Sequence, residues 1–247
     1  MTKPDPKQVD REFHKKTAAG YDARVDKKSK LYHTLFLYPY IDEVKRCLPG
    51  DKELLALDIG CGTGSVTIPL AEKEFSVVAV DHSPEMIEIA RRKATDKGVI
   101  DKIRFVIGDA EKLDYPDDTF DLITCQGVIH HLSDKGPVLK EIRRVMRKPG
   151  YLYISEPVEI FSHFRLLGFL GQMFHFLRRE KDVEAPLIKN DFLRQIESVG
   201  GISYDYFLVF YIPFLPLKLW DSFRRAAAKF FKNKRIGSIM FVYCKLR

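Results

Sequence analysis

The sequence predicts an α/β fold, a parallel sheet with helices on both faces. Three observations predict it. First, short apolar runs recur through the middle of the chain: LLALDIG (54–60), SVVAVD (76–81), IRFVIGD (103–109), FDLITCQ (120–126) and YLYISEP (151–157). Second, each run is of strand length and nearly continuous, as strands buried on both faces are. Third, helical patterns separate the runs, and strands alternating with helices build parallel sheets.

The connecting elements follow in order. VTIPLAEK (66–73) starts a helix after the first strand. PEMIEIARRKATDKG (84–98) is a helix with Pro84 in its first turn, where a missing N–H removes no helical bond. VLKEIRRVMRKPG (138–150) is a helix stopped by Pro149 and Gly150. After Pro157 the rhythm changes. IFSHFRLLGFLGQMFHFL (160–177) is dense in Phe and Leu and holds one charge, Arg165. NDFLRQIESVGG (190–201) reads as a helix capped at Asn190 or Asp191 and ended by glycine. ISYDYFLVF (202–210) reads as a strand, residues 217–232 as a helix, and IMFVYCKL (239–246) as a final strand. Of 18 phenylalanines, 13 lie in residues 158–247, so this part has a chemistry of its own.

Composition narrows the function classes. The length of 247 residues suits one large α/β domain with elaborations. The four cysteines, Cys47, Cys61, Cys125 and Cys244, are scattered without a CxxC pair. That argues against a zinc site or a disulfide scaffold and fits a reducing cytoplasm. The N-terminal MTKPDPKQVDREFHKK has no apolar core, so it does not read as a secretory signal. The net charge of +7 is unevenly spread. Residues 1–52 carry 12 basic and 8 acidic side chains, residues 53–157 carry 14 and 18, and residues 158–247 carry 15 and 8. The basic flanks suit nucleic acid, anionic lipid headgroups, or plain solubility.

The most specific feature is LDIGCGTGS, Leu57 to Ser65, between a strand and a helix. Glycines at 60, 62 and 64 let backbone approach a ligand and adopt dihedrals closed to other residues. The helix start beyond them offers N–H groups. A lone GxGxG serves dinucleotide folds equally well. Here Asp81 ends the next strand, 21 residues after Gly60, where a carboxylate can hold ribose hydroxyls, and Asp109 ends the third, followed by Ala110. Either aspartate could instead be a surface or capping acid.

These residues, with VVAVDHSPEMIEIAR, GDAEKLDYPDDTFDLI, CQGVIHHL and LKEIRRVMRKPGYLYISEP, resemble the class I S-adenosylmethionine-dependent methyltransferases. The likeness is close through residues 54–157, and strongest to the branch that methylates quinones, sterols, lipids and other small molecules. One departure is Pro149-Gly150-Tyr151, where the family usually has paired glycines; it should alter only a turn. The resemblance implies a Rossmann-like, seven-stranded, mostly parallel sheet with one antiparallel strand. It implies an N-terminal helical lid (1–52), a cofactor-binding core (53–157) and a C-terminal part of the same domain (158–247). The last would carry acceptor-side insertions at 158–189 and 211–236.

The resemblance also implies roles. Asp58 should orient the glycine loop and assist the methionine amino group. Gly60, Cys61 and Gly62 should pass under methionine and ribose. Asp81 should accept the ribose hydroxyls, with His82 and Met86 against the adenine. Asp109 should accept from the adenine amino group and Ala110 donate backbone to a ring nitrogen. Cys125 and Gln126 should face the sulfonium, and Tyr21, in AAGYD, should close over the amino-acid end. His130 and His131 follow the fourth strand and suggest a general base. Packing or cofactor contact is the stronger reading of that pair, and His131 is the choice if one is catalytic. Glu156 is a second catalytic candidate, with a hydrogen-bonded loop acid as the alternative. His163 and His175 lack carboxylate partners at metal spacing, so no metal is expected.

The C-terminal part tests the acceptor. On a helix over 217–232, Leu217, Trp220, Phe223, Ala227, Phe230 and Phe231 share one face, and Lys218, Asp221, Arg225, Lys229 and Lys232 another. Such a basic amphipathic helix docks on its own domain or lies in a membrane interface, giving a peripheral contact through 211–235. Neither 160–177 nor 206–220 reads as a membrane span; Pro213 and Pro216 break the second. The expected function is methyl transfer from S-adenosyl-L-methionine, leaving S-adenosyl-L-homocysteine, to a small, apolar or lipid-like acceptor. The expected protein is a cytoplasmic monomer or homodimer, with membrane association open. An RNA methyltransferase is a rival because of the basic tail, against which stands the lack of a separate RNA-binding module. A binder of the cofactor without catalysis is another, and a nicotinamide dehydrogenase a weaker one.

Overall fold

A computed structural model describes residues 33–48, 52–132, 134–157, 189–198, 202–209 and 239–246. Tyr21, His163, His175, the 1–32 portion of the N-terminal segment and the 211–236 insertion lie outside the described residues. So do residues 158–188 and the 217–232 helix.

The chain enters through a π-helical turn (His33–Leu37) into α1, Tyr38–Cys47. Then follow β1 (Leu55–Ile59), α2 (Thr67–Glu72), β2 (Ser76–Asp81), α3 (Pro84–Asp96), β3 (Ile103–Ile107) and β4 (Phe120–Gln126). A short 3-10 turn, Ile129–His131, leads to α4 (Gly136–Val145) and β5 (Met146–Pro157). The C-terminal elements are α5 (Lys189–Ser198), β6 (Ile202–Val209) and β7 (Ile239–Leu246).

The strands form one seven-stranded sheet in the order β3-β2-β1-β4-β5-β7-β6. β1 to β5 pair in parallel, and β7 runs antiparallel to both β5 and β6. The arrangement expected from the sequence is therefore present. Strand order reverses between β1 and β4. Ligands in such open sheets sit beyond the carboxyl ends of the strands at that reversal.

Alternation within the strands explains their continuous apolar character. Ala56, Val77, Ala79, Leu122 and Tyr153 face one side, against Ile41 and Val44 of α1, Ile68 of α2 and Ala90 of α3. Leu57, Ile59, Val80, Ile123 and Ile154 face the other, against Leu139 and Ile142 of α4 and Phe192 and Ile196 of α5. Full burial of each large side chain contributes about 1.5–3 kcal/mol. The described part of residues 1–52 joins this packing: the Tyr40 hydroxyl donates to the Leu152 carbonyl at 3.0 Å. α3 ends in a paired C-terminal cap, with Gly98 N–H on the Thr95 carbonyl and Val99 N–H on the Ala94 carbonyl. Gly98 supplies the left-handed dihedral such a cap requires, at φ 67°.

One boundary differs from expectation. The helix expected over 138–150 ends at Val145, and Pro149-Gly150 lies inside a strand rather than after a helix. Met146 already has extended dihedrals and pairs with Phe120. The register then shifts and resumes at Leu122 with Tyr151. Gly150 sits so close to the preceding chain that a Cβ there would lie 2.2 Å from the Arg147 carbonyl oxygen. The departure from the family pattern is thus an irregular strand start.

Candidate functional site

The loop after β1 is built by dihedrals and two backbone anchors. Gly60 and Cys61 donate N–H to the Val80 carbonyl at 2.8 and 3.0 Å, tying the loop to β2. Gly60, Gly62 and Gly64 have φ of 65°, 50° and 83°. Gly60 also permits a close approach, because a Cβ there would lie 2.2 Å from Cγ2 of Val128, in the loop after β4. The two loops at the strand reversal therefore touch through this glycine. A Cβ on Gly62 would meet nothing within 4 Å, so the loop opens onto space there.

Two carboxylates stand behind the loop. Asp58 is buried at 2% exposure; Oδ2 accepts from the Thr67 hydroxyl at 2.5 Å and Oδ1 from the Thr124 hydroxyl at 2.8 Å. Burial pushes its carboxyl up, against the pull of both hydroxyl bonds, and the charge of Asp81 adds to the rise, to about 6. Asp81 accepts from the Gly62 N–H at 2.7 Å and from the Ser83 N–H at 2.9 Å. A carboxylate offers about four acceptor positions, so these bonds leave room for further donors. They also fix the height of the glycine loop. Within the loop the Gly62 N–H serves Asp81 and the Gly64 N–H serves the Cys61 carbonyl.

The remaining expected residues fall around this pair. His82 follows Asp81, its Nδ1 3.8 Å from Oδ1. Met86 is buried in the first turns of α3, which Ser83 caps by accepting the Met86 N–H at 3.3 Å. Asp109 is exposed beyond β3 and accepts the Glu111 N–H at 3.0 Å, with Ala110 half-buried beside it. Gln126 is half-buried at the end of β4. Cys125 is fully buried in the apolar layer beside Ile59 and Ile123. What its position offers a ligand is backbone rather than thiol. Burial, with Glu156 and Asp58, pushes the Cys125 thiol well up; burial, with Asp81 and Asp58, does the same to Cys61. Neither is a thiolate nucleophile at neutral pH.

The loop after β4 has its own anchor. Gly127, at φ 67°, donates to the Ser155 carbonyl at 2.9 Å. Glu156, at 0% exposure, accepts through Oε1 from the N–H groups of Val128 and Ile129, both at 2.9 Å. Its Oε2 meets the His130 N–H at 3.4 Å and His130 Nδ1 at 2.7 Å. Both oxygens of Glu156 are thus hydrogen-bonded within the loop, the arrangement of a loop acid. Its carboxylate sits on His130, whereas the His131 ring stacks on His130 with centroids 4.0 Å apart.

Four contributors escaped the sequence reading: Thr67 and Thr124 beneath Asp58, Ser83 as cap, and Val128 against Gly60. Thr124 had a signal, a lone hydroxyl within the apolar FDLITCQ. Ser83 before Pro84 had one too, as a cap residue preceding a first-turn proline. Thr67 and Val128 had none.

Comparison with known proteins gives a consistent answer. The "Methyltransferase domain" family model matches residues 51–196. The chain is 40% identical over 94 residues to the uncharacterized methyltransferase YcgJ of Bacillus subtilis, covering 38% of this chain and 37% of that protein. It is 32% identical over 169 residues to a ubiquinone/menaquinone biosynthesis C-methyltransferase of Idiomarina loihiensis, covering 63% and 66%. The chain thus spans about a third to two thirds of the length of these curated relatives. The crystal structure of the Bacillus YcgJ protein superposes with a TM-score of 0.61 at 21% identity, over 85% of this chain and 99% of that one.

Proposed function

Because the chain belongs to the class I S-adenosylmethionine-dependent methyltransferases, we propose that it methylates a carbon of a small apolar ring, a hydroquinone-type acceptor. The observation that carries the acceptor class is the 32% identity to a quinone-pathway C-methyltransferase. The Phe-rich composition of residues 158–247 supports an apolar acceptor.

The residues present fit the family's cofactor, S-adenosyl-L-methionine. Asp58 and Asp81 place two carboxylates behind a loop that opens onto space at Gly62. Such a site favours a ligand carrying positive charge on one end and a diol further along. In this reading Asp81 accepts from the ribose hydroxyls while still holding Gly62. Asp58 acts from below through the loop and through its charge on the amino end. Asp109, Ala110, His82 and Met86 border the base, and Gln126 lies near the reacting end. When bound, the cofactor supplies an electrophilic methyl group on a cationic sulfur. The protein's own task is then alignment and exclusion of water. The lid role of residues 1–52, including Tyr21, and the acceptor role of 158–189 and 211–236 belong to the same proposal. No helix among the described residues is long and apolar enough to cross a membrane.

The test has two arms. Asp81→Ala should weaken S-adenosylmethionine binding by roughly 10- to 100-fold, the range for losing charged hydrogen bonds, as read by calorimetry. The wild-type chain, given labelled cofactor and a short-tailed naphthohydroquinone, should release a product heavier by one methylene. Cofactor binding without that product, together with labelling of added RNA, would overturn the acceptor class and leave the family intact.

A further inference from the structure

We propose that Arg144 is a positioning residue for the turn after β3: with Glu141 it latches the exit of that turn to α4, and so governs how well the protein tells adenine from another purine. The proposal rests on the cofactor reading above, in which Asp109 and Ala110 border the base, and adds to it what holds them in place.

The turn, residues 109–112, is hung between two anchors. At its entrance the Gly108 N–H donates to the Asp81 carbonyl at 3.0 Å, tying it to the end of β2. Within it the Lys112 N–H meets the Asp109 carbonyl at 3.1 Å, and the Glu111 N–H meets Asp109 Oδ1 at 3.0 Å. Its exit is Leu113, whose two backbone polar groups are both taken by α4. The Leu113 N–H donates to Glu141 Oε2 at 2.8 Å, and Arg144 Nη2 donates to the Leu113 carbonyl at 2.8 Å. Glu141 and Arg144 are themselves joined by two bonds of 2.8 Å, Nε to Oε1 and Nη2 to Oε2. Three residues apart on one helix, they meet Leu113 as a single paired unit.

Arg144 continues along the loop. Nη1 donates to the Tyr115 carbonyl at 2.6 Å and to Asp117 Oδ1 at 3.0 Å. Its own carbonyl accepts the Asp118 N–H at 2.9 Å, and that of Val145 accepts the Thr119 N–H at 2.8 Å, which satisfies the end of α4. The guanidinium thus makes five bonds, as many as it has N–H groups. Burial of the Leu113 side chain, at 6% exposure, holds the segment down. Apolar contact is non-directional and leaves the rotation of the peptide groups open. The bonds on either side of Leu113 set that rotation, and Asp109 stands only four residues back along the chain. Two carbonyls and two carboxylates are served at once, which takes a rigid fork. A lysine ammonium keeps the charge but not the fork.

The experiment compares the full chain with Arg144→Lys, using S-adenosylhomocysteine and S-inosylhomocysteine as probes. Hypoxanthine presents an acceptor where adenine presents its amino donor, in nearly the same outline. Calorimetry on the wild type should show the adenine thioether bound about 10- to 100-fold tighter, the range for a hydrogen bond to a charged group. Asp109→Ala should cut this preference to below about threefold, and Arg144→Lys should cut it by roughly as much. Without ligand, amide hydrogen exchange in Arg144→Lys should quicken about tenfold or more at Glu111 and Lys112, and stay as in the wild type at Gly60 and Cys61. A merely structural arginine would lower Tm and leave the ratio of the two affinities at its wild-type value. That result overturns the proposal, as does unchanged exchange in the turn. Equal wild-type affinity for the two thioethers also overturns it and leaves cofactor binding standing, whereas a wild type that binds neither overturns the cofactor reading with it. A lost preference in Arg144→Lys supports the latch even if the wild type fails to methylate the naphthohydroquinone, which would overturn the acceptor class alone. Where Arg144→Lys does not fold, Glu141→Gln decides. It keeps an oxygen for the Leu113 N–H and loses the charge that seats Arg144, so the preference should fall by about threefold or more; an unchanged preference overturns the proposal.

Discussion

Two buried aspartates on neighbouring strands are treated in opposite ways. Asp121 lies near the amino end of β4. It accepts from Lys52 at 3.0 Å, from Arg147 at 2.6 Å and from the Leu55 N–H at 3.0 Å. Burial alone would raise its carboxyl, but the Leu55 N–H and the two cations outweigh it and hold it below the usual carboxylate range. Asp58 lies near the carboxyl end of β1. The hydroxyls that donate to it, of Thr67 and Thr124, are neutral, and the charge that shifts it is that of another carboxylate, Asp81. At the amino end of β4 two cations oppose the charge of Asp121. The mouth carries negative charge that a cationic ligand would offset, at a cost in stability until the ligand arrives. The polar group that weakens the fold thus sits at the end of the sheet where the proposed cofactor would bind, and the one that strengthens it sits at the other end.

The largest test of that contrast is Asp121→Ala. It strands Lys52 and Arg147 beside a site where the carboxylate was 2% exposed. It also leaves the Leu55 N–H without its acceptor. The two cations are partly exposed and can turn to water, so the cost is that of the lost charged hydrogen bonds and the stranded Leu55 N–H, about 3 kcal/mol. Chemical denaturation should show a loss of that order, with cofactor affinity per folded molecule unchanged. Equal loss of affinity would mean that the two ends are not separate.

Asp58 should show the opposite sign against pH. Its folded carboxyl stands near 6 and its ordinary value is 3.8. Between those values the native state binds a proton more readily than the unfolded chain. Its contribution is therefore complete below pH 4 and is lost as pH rises through 6, by about 3 kcal/mol for a two-unit shift. Asp121 runs the other way, contributing above the unfolded carboxyl range and losing its contribution as pH falls. Asp58→Asn should flatten the segment between pH 4 and 6 in a stability–pH curve and raise stability at pH 8. The same variant should bind S-adenosylmethionine more weakly. A curve identical to wild type would sink the assignment of Asp58 as the strained carboxylate.

The sequence showed some of this contrast and hid the rest for physical reasons. The strands were legible because double burial leaves an unmistakable apolar run, and Asp81 because it ends one of them. The start of β5 was not legible, since Met146-Arg-Lys-Pro-Gly has no strand pattern and owes its place to pairing with Phe120. Glu156 could be seen as an acid after a strand. Its partners lie 26 to 28 residues away, so whether it was open or engaged could not be read. His130 and His131 are chemically identical neighbours, and only the turn geometry decides which ring meets the carboxylate. Asp58 and Asp121 look alike in sequence too, each a single acid among apolar residues. Their difference comes from what the crossovers bring beside them.

The smallest test asks whether a structural group can sit at the mouth without belonging to the site. Ser83 caps α3 through its hydroxyl on the Met86 N–H, and that hydroxyl donates to Glu85 at 3.1 Å. Its backbone N–H separately serves Asp81. Ser83→Ala removes the hydroxyl and spares the N–H. The loss of an N-cap should lower stability by about 1 kcal/mol, a shift of roughly 2–4 °C in Tm for a domain of this size. Asp81 keeps both backbone donors, so affinity for S-adenosylmethionine should change by less than about threefold, well under 1 kcal/mol. An affinity loss matching Asp81→Ala would show that the cap sets the carboxylate's position. The stabilising and functional groups would then be interleaved at this end of the sheet rather than divided between its two ends.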